Sequence, residues 1–215
     1  MPDCGLALQK ICVAQDARIL VELDRHVPPG EVLTVMGPSG SGKSTLLSLL
    51  IGTLGRDFNA SGRIILDGQD ITDWPTEKRR IGILFQDDLL FPHLSVGENL
   101  AFGLAPSVRG RAKRRARIEN ALEEIGLAGF ADRDPATLSG GQKARVALMR
   151  MLLSEPKALL LDEAFSRLDT DRRMQIRRLV FDYAQQRGLP TLMVTHDIED
   201  ARAAGGAVID IQESS

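Results

Sequence analysis

A glycine-rich segment between a predicted strand and a predicted helix constrains this chain most strongly. It follows the apolar run VLTVM, precedes STLLSLLIGTL and has the spacing G-x-x-x-x-G-K-S of a phosphate-binding loop. Glycines let backbone N–H groups turn toward phosphate oxygens, and the start of the following helix adds partial positive charge. We therefore predict a phosphate loop made of Gly37, Pro38, Ser39, Gly40, Ser41, Gly42, Lys43, Ser44 and Thr45.

Four side chains are candidates for contacting ATP, Mg²⁺ and the attacking water. In the loop, Lys43 is expected to reach the β- and γ-phosphates, and Ser44 to place its hydroxyl on Mg²⁺. The apolar run 158–161 ends in Asp162 and Glu163, at the strand end where ligands of open parallel sheets bind. Adjacent strand residues face opposite ways, so we assign Asp162 to Mg²⁺ through water and Glu163 to polarising the attacking water.

The pattern of apolar runs predicts an α/β fold. Four short runs between helical patterns are typical of buried parallel strands: Glu31 to Met36, Ile81 to Phe85, Ala158 to Leu161 and Thr191 to Thr195. Three earlier runs have the turn signals of antiparallel strands: Leu6 to Val13, Ile19 to Leu23 and Arg63 to Leu66. A later stretch, including Arg109 to Ile125, is rich in helix formers. We predict a central, mostly parallel sheet, an N-terminal antiparallel β subdomain and an inserted α-helical subdomain.

Composition limits the classes of function. The 215 residues suit one large α/β domain with a modest insert, and a net charge of −2 does not favour general binding to nucleic acid. No signal peptide or membrane-spanning run is evident, so a cytosolic location is expected. The basic run between Arg109 and Arg117 lacks interleaved aromatic residues, which favours a solvated helix face over a nucleic-acid surface.

The segment LSGGQ, from Leu138 to Gln142, places a serine and two glycines directly before a helix-forming run. Ser139 offers a hydroxyl, Gly140 and Gly141 permit close backbone approach, and the helix starting there directs its N-terminal dipole at a phosphate. The run LSGGQKARVALMRMLLSEPKALLLDE resembles the signature region of ATP-binding-cassette (ABC) ATPases, and the likeness covers nearly the whole chain. The resemblance implies one P-loop NTPase domain over 1–215, with 1–86 and 137–215 as the α/β core and 87–136 as the helical subdomain.

The same resemblance implies a head-to-tail homodimer and the roles of further residues. Ser139, Gly140, Gly141 and Gln142 of one copy would face the phosphate loop of the other. Gln86 would sense Mg²⁺ and the attacking water, Asp169 would lie in a loop that crosses the dimer interface, and His196 would contact the γ-phosphate. Two departures from the family pattern bear on chemistry. Ala14 lies near the position where the family usually has an aromatic residue that stacks on adenine, so the choice between ATP and GTP stays open. Ala164 replaces the proline that commonly follows the catalytic glutamate, and the loss of this backbone constraint could slow hydrolysis.

The region after Gln86 resembles ATPase subunits of bacterial importers that use a binding protein. This resemblance implies a peripheral subunit on the cytoplasmic face of the inner membrane. Transmembrane permease subunits would dock near Gln86 to Val96. A periplasmic or extracellular solute-binding protein would belong to the same transport system, and nucleic acid would not be a partner. The alternative is a soluble or mechanotransmitting ABC ATPase that is not coupled to solute uptake.

Overall fold

A computed structural model of the protein describes residues 4–16, 18–87, 89–166 and 168–211. Strands and helices alternate through most of the chain, as the apolar runs predict. The strands are β1 (Leu6–Gln15), β2 (Arg18–Val27), β3 (Val32–Met36), β4 (Phe58–Leu66), β5 (Gln69–Asp70), β6 (Ile81–Leu84), β7 (Ala158–Asp162), β8 (Thr191–Thr195) and β9 (Ala207–Asp210). The α-helices are α1 (Lys43–Ile51), α2 (Thr76–Arg79), α3 (Val96–Gly103), α4 (Arg111–Glu124), α5 (Gly140–Leu152), α6 (Thr170–Arg187) and α7 (Ile198–Ala204), with a 3₁₀ turn at Pro135–Thr137.

A five-stranded sheet has the order β6-β7-β8-β3-β9. Strand β8 pairs in parallel with both β7 and β3, and β3 pairs in parallel with β9. Strands β3, β7 and β8 are buried along nearly their whole length, which explains their continuous apolar sequences. The predicted central parallel sheet is confirmed, and the short strand β9 lies at its edge beside β3.

A separate four-stranded sheet has the order β2-β1-β4-β5. Strand β1 pairs antiparallel with β2 and β4, and β4 turns through Asp67-Gly68 to pair antiparallel with β5. The predicted N-terminal antiparallel subdomain is therefore confirmed, although β4 begins at Phe58, before the predicted Arg63. Leu6, Leu8, Val13 and Ile64 from this sheet share one core with Leu160 and Val194.

The chain divides into two compact units. The first contains 1–83, 157–163 and 181–215, and the second contains 84–156 and 164–180. The second unit has its own core, in which Val96, Leu100, Leu122 and Val146 are fully buried. This unit contains the helices of the predicted inserted subdomain, while the exact limits 87–136 stay a prediction.

Candidate functional site

The predicted phosphate loop connects the end of β3 to the start of α1. Helix α1 begins at Lys43, and Gly42, which precedes it, has a left-handed backbone with φ of 89°. A Cβ atom on Gly42 would lie 2.8 Å from the Val21 side chain, so both its backbone angle and its packing against β2 favour glycine. These constraints hold the loop against the antiparallel sheet and present the start of α1.

Lys43 and Ser41 give the loop its polar interior. The Lys43 ammonium donates to the carbonyl oxygens of Gly37 and Pro38 at 2.7 Å each, so the side chain folds back along the loop. The buried Ser41 hydroxyl has no hydrogen-bond partner among the described residues. A Cβ atom on Gly40 would meet nothing within 4 Å. An unpaired buried polar atom, a cation and open space together fit the oxygens of a phosphate group.

The two acidic residues lie at the carboxyl end of β7. Asp162 pairs in register with Val194 of β8, and the Glu163 N–H donates to the Val194 carbonyl at 3.0 Å. Glu163 has a left-handed φ of 46°, so the chain turns sharply where the strand ends. Burial raises the pKa of the Asp162 carboxyl, the charge of Glu163 adds to this rise, and the charge of Lys43 opposes it. A cation near Asp162 would therefore stabilise its ionised carboxylate, which burial makes unfavourable in the absence of an opposite charge.

His196 lies beside Glu163 at the end of β8. Its Nδ1 is 3.2 Å from Glu163 Oε1, within hydrogen-bonding distance. The turn that carries His196 is held by Thr195, whose buried hydroxyl donates to Asp200 Oδ2 at 3.1 Å and accepts from the Asp197 N–H at 3.0 Å. Sequence reasoning missed Thr195 and Asp200 as positioning residues, because their contact depends on how α7 follows the strand.

The sheet order brings the first group of predicted residues together. Met36 pairs in register with Thr195, and Asp162 with Val194, so β3, β8 and β7 end at one edge of the sheet. The phosphate loop, His196 and Glu163 follow these three strand ends directly. This edge therefore combines a loop suited to phosphate with a carboxylate suited to activating water.

The second group of predicted residues lies in the second unit. Ser139 caps α5: its hydroxyl accepts from the Gln142 N–H at 3.4 Å, and its N–H donates to Gln142 Oε1 at 2.9 Å. This reciprocal pair is a capping box, and it gives Gln142 a structural role. Gln86 is exposed just after β6. Asp169 lies before α6, where its carboxylate accepts from the Arg172 N–H and pairs with the Arg172 guanidinium, both at 3.1 Å.

A groove also lies in the second unit, between α3 and α4. It has a volume of about 560 Å³, and its lining includes Ala101, Ile118 and Ala131 together with arginine and acidic side chains. The buried Asn99 side chain accepts from the Phe91 N–H at 2.8 Å and donates to the Phe91 carbonyl at 3.1 Å. Asn99 thereby holds part of the predicted docking segment against α3.

Comparison with known proteins places this geometry in a family. Residues 20–166 match the ABC transporter family. An uncharacterized ABC transporter ATP-binding protein of Escherichia coli, YnjD, is 48% identical over 200 residues, which cover 93% of this chain and 91% of the relative. The thiamine import ATP-binding protein ThiQ of Cereibacter sphaeroides is 47% identical over 197 residues, covering 92% and 84%.

Two further similarities concern an iron-import protein and a solved structure. The Fe(3+) ions import ATP-binding protein FbpC of Photorhabdus laumondii is 41% identical over 191 residues, which cover 89% of this chain but only 54% of the relative. The structure of CbiO1 from Clostridium perfringens, described as part of the ABC transporter complex CbiONQ, superposes with a TM-score of 0.84 at 30% identity. It covers 98% of this chain and 86% of CbiO1. In the described part of our chain, no helix has the length and apolarity needed to cross a bilayer.

Proposed function

The chain belongs to the ABC transporter family of ATP-hydrolysing subunits, and on this premise we propose that two copies bind ATP with Mg²⁺ and drive import of a small solute through separate membrane subunits. The observation that carries the proposal is the shared sheet edge at which the phosphate loop, Glu163 and His196 follow three neighbouring strands. Each element suits one part of ATP hydrolysis, and their convergence is what a single reaction requires.

The residues of this edge have distinct roles in the proposal. Lys43 and the loop N–H groups bind the phosphates, and Glu163 polarises the attacking water as a general base. His196 holds the Glu163 carboxylate in place through its 3.2 Å contact and contacts the γ-phosphate. Ser44 and Asp162 would hold Mg²⁺, which neutralises phosphate charge when bound. A magnesium ion keeps several waters and needs few protein ligands, so the small number of side chains fits it.

The signature segment completes the site in a second copy. Ser139, Gly140, Gly141 and Gln142 begin α5, a helix of 13 residues, whose N-terminus favours an anion. We place the γ-phosphate of ATP bound on one copy against this N-terminus of the other copy, with Asp169 at the same interface. Nucleotide then joins the two copies, and hydrolysis releases them.

A Glu163→Gln variant tests the mechanism. The amide keeps the size of the side chain but cannot act as a base, so we expect steady-state ATP turnover to fall by about 100-fold or more. ATP binding should persist, and an ATP-bound dimer should accumulate in light-scattering chromatography. Glu123→Gln, at an exposed position of α4, is the matched control and should behave as the parent protein. Normal turnover in Glu163→Gln, or a failure of ATP to pair its copies, would contradict the mechanism.

Two features of the second unit support docking on membrane subunits. The groove between α3 and α4 combines apolar residues with charged side chains of both signs, which suits a short amphipathic segment of a partner. Phe102 is 71% exposed, and its ring centroid lies 4.8 Å from that of Phe91 in the predicted docking segment Gln86 to Val96. We propose that permease subunits bind this surface and hold the ATPase at the cytoplasmic face of the membrane.

The relatives support import as the direction of transport. ThiQ and FbpC are named for import of thiamine and of Fe(3+) respectively, so similar ATPases serve chemically different solutes. We therefore assign the choice of solute to the permease and to a solute-binding protein outside the membrane. Reconstitution of the complete transporter in vesicles tests this assignment, because ATP turnover without solute uptake would indicate an ABC ATPase that is not coupled to import.

A further inference from the structure

Arg172, in the first turn of α6, lies directly over the glycines of the signature segment. A Cβ atom on Gly141 would be 3.2 Å from Arg172 Cδ, and one on Gly140 would be 3.7 Å from Arg172 Nη1. The arginine side chain therefore runs along the backbone at the N-terminus of α5. Glycine at 141 leaves room for this approach, and the guanidinium is brought to the helix end that already favours anions.

Arg172 borders a cavity whose charged lining residues are arginines. A cavity of about 220 Å³ is lined by Ser139, Gln142, Arg145, Arg172 and Gln175, among others, and none of the described residues that line it is acidic. Arg145 is engaged by the Gln175 side chain at 2.8 Å and the Ile125 carbonyl at 3.3 Å. Among the described residues, the Arg172 guanidinium forms an ion pair only with Asp169, by Nε at 3.1 Å. Its terminal nitrogens thus remain able to bind an anion.

The ion pair between Arg172 and Asp169 is weak enough for the guanidinium to exchange Asp169 for a phosphate. Both side chains are about half exposed, at 50% and 55%, and ion pairs in contact with water contribute little stability. A phosphate enclosed between two protein surfaces offers a guanidinium a stronger, bidentate partner. Loss of the pair would also release the Asp169 carboxylate at the proposed interface.

Resting on the proposed two-copy function, we propose that Arg172 is a further phosphate-contacting residue of the composite site. When two copies pair, the Arg172 guanidinium leaves Asp169 and binds the terminal phosphate of ATP held by the phosphate loop of the other copy. Arg172 thereby contributes to pairing of the copies and to recognition of the γ-phosphate, while initial ATP binding to a single copy depends on Lys43 and its loop.

The test compares Arg172→Ala, Arg172→Lys and Arg187→Ala in the Glu163→Gln background, with ATP and Mg²⁺. Arg187 is an exposed arginine at the far end of the same helix and is the matched control. Sedimentation measures the dimer dissociation constant, and fluorescence of a trinitrophenyl-ATP probe measures nucleotide binding by one copy. In the background with native Glu163, the vanadate concentration that halves turnover reports on the γ-phosphate position, which a purely structural role of Arg172 would leave unchanged.

We expect Arg172→Ala to weaken ATP-dependent pairing by about 10- to 100-fold, the range for one hydrogen bond to a charged group. Half-inhibition should need correspondingly more vanadate, while probe binding changes less than about twofold. Arg172→Lys should restore part of the loss, and Arg187→Ala should match the parent. Unchanged pairing and vanadate inhibition in Arg172→Ala would overturn the inference but leave the proposed function intact. Failure of the Glu163→Gln parent to pair would instead count against the proposed function.

Discussion

Replacement of Arg79 by alanine is expected to destabilise the first unit strongly. This arginine is buried, with 6% of its surface exposed. Its guanidinium donates to the carbonyl oxygens of Leu49 at 2.8 Å and Leu50 at 2.9 Å, and to those of Thr72 at 2.6 Å and Trp74 at 2.7 Å. Burial lowers the pKa of Arg79, but an arginine stays charged because its ordinary pKa is so high.

The four carbonyl acceptors determine how much free energy of unfolding the Arg79→Ala substitution removes. Leu49 and Leu50 belong to the last turn of α1, where a positive charge is favourable, and the Leu49 carbonyl also accepts from the Gly52 N–H at 3.1 Å. A hydrogen bond to a charged group contributes about 1.5–3 kcal/mol, so four amount to roughly 6–12 kcal/mol before compensation. Water can enter the space left by the side chain and pair with some carbonyls. We therefore expect a net loss of about 4 kcal/mol, which is large for a single substitution.

Urea unfolding followed by circular dichroism measures this loss. With a denaturant slope of about 2.5 kcal/mol per molar, 4 kcal/mol lowers the midpoint by roughly 1.6 M. Lys78→Ala is the matched control, because Lys78 is exposed and precedes Arg79 in the same short helix. Arg79→Lys keeps the charge but has fewer donors, so its midpoint should be intermediate. If the Arg79→Ala and Lys78→Ala midpoints agree within about 0.3 M, the reasoning from the four carbonyls is refuted.

Two further predictions concern the nucleotide site and the docking surface. The folded-state pKa of Asp162 is raised above the ordinary 3.8. Its contribution to stability therefore falls as the pH rises from 3.8 through the folded-state pKa. Asp162→Asn should therefore raise the melting temperature of the nucleotide-free protein at neutral pH and weaken Mg²⁺-dependent ATP binding. Calorimetry and titration check both effects, and a lower melting temperature would contradict the sign. Phe102→Ser should leave ATP turnover of the isolated protein unchanged but reduce co-purification with co-expressed permease subunits. The control is Trp74→Ser, which changes an exposed aromatic residue of the first unit, whereas Phe102 belongs to the second. Equal recovery of permease subunits with both variants would argue against docking at Phe102.

Local sequence patterns predicted the type of most elements. Continuous apolar runs identified β3, β7 and β8 because these strands are buried on both faces. Strand β9 is short and mostly exposed, so burial left little signal in its sequence. The start of β4 was placed too late for a related reason, since the residues from Phe58 to Gly62 are largely exposed.

The candidate site shows the same division between local and distant information. The glycine-rich loop and the acidic strand end each consist of neighbouring residues, so local pattern pointed to them, and the signature segment was identified by its resemblance to the ABC family. Their assembly depends on strand order: β8 lies between β7 and β3, and this pairing brings His196 beside Glu163. Likewise, the contacts of Arg79 with the Leu49 and Leu50 carbonyls, and of Arg172 with the glycines of the signature segment, join distant parts of the chain. Short-range periodicity encodes which faces are buried, whereas only folding of the whole chain settles which buried faces meet.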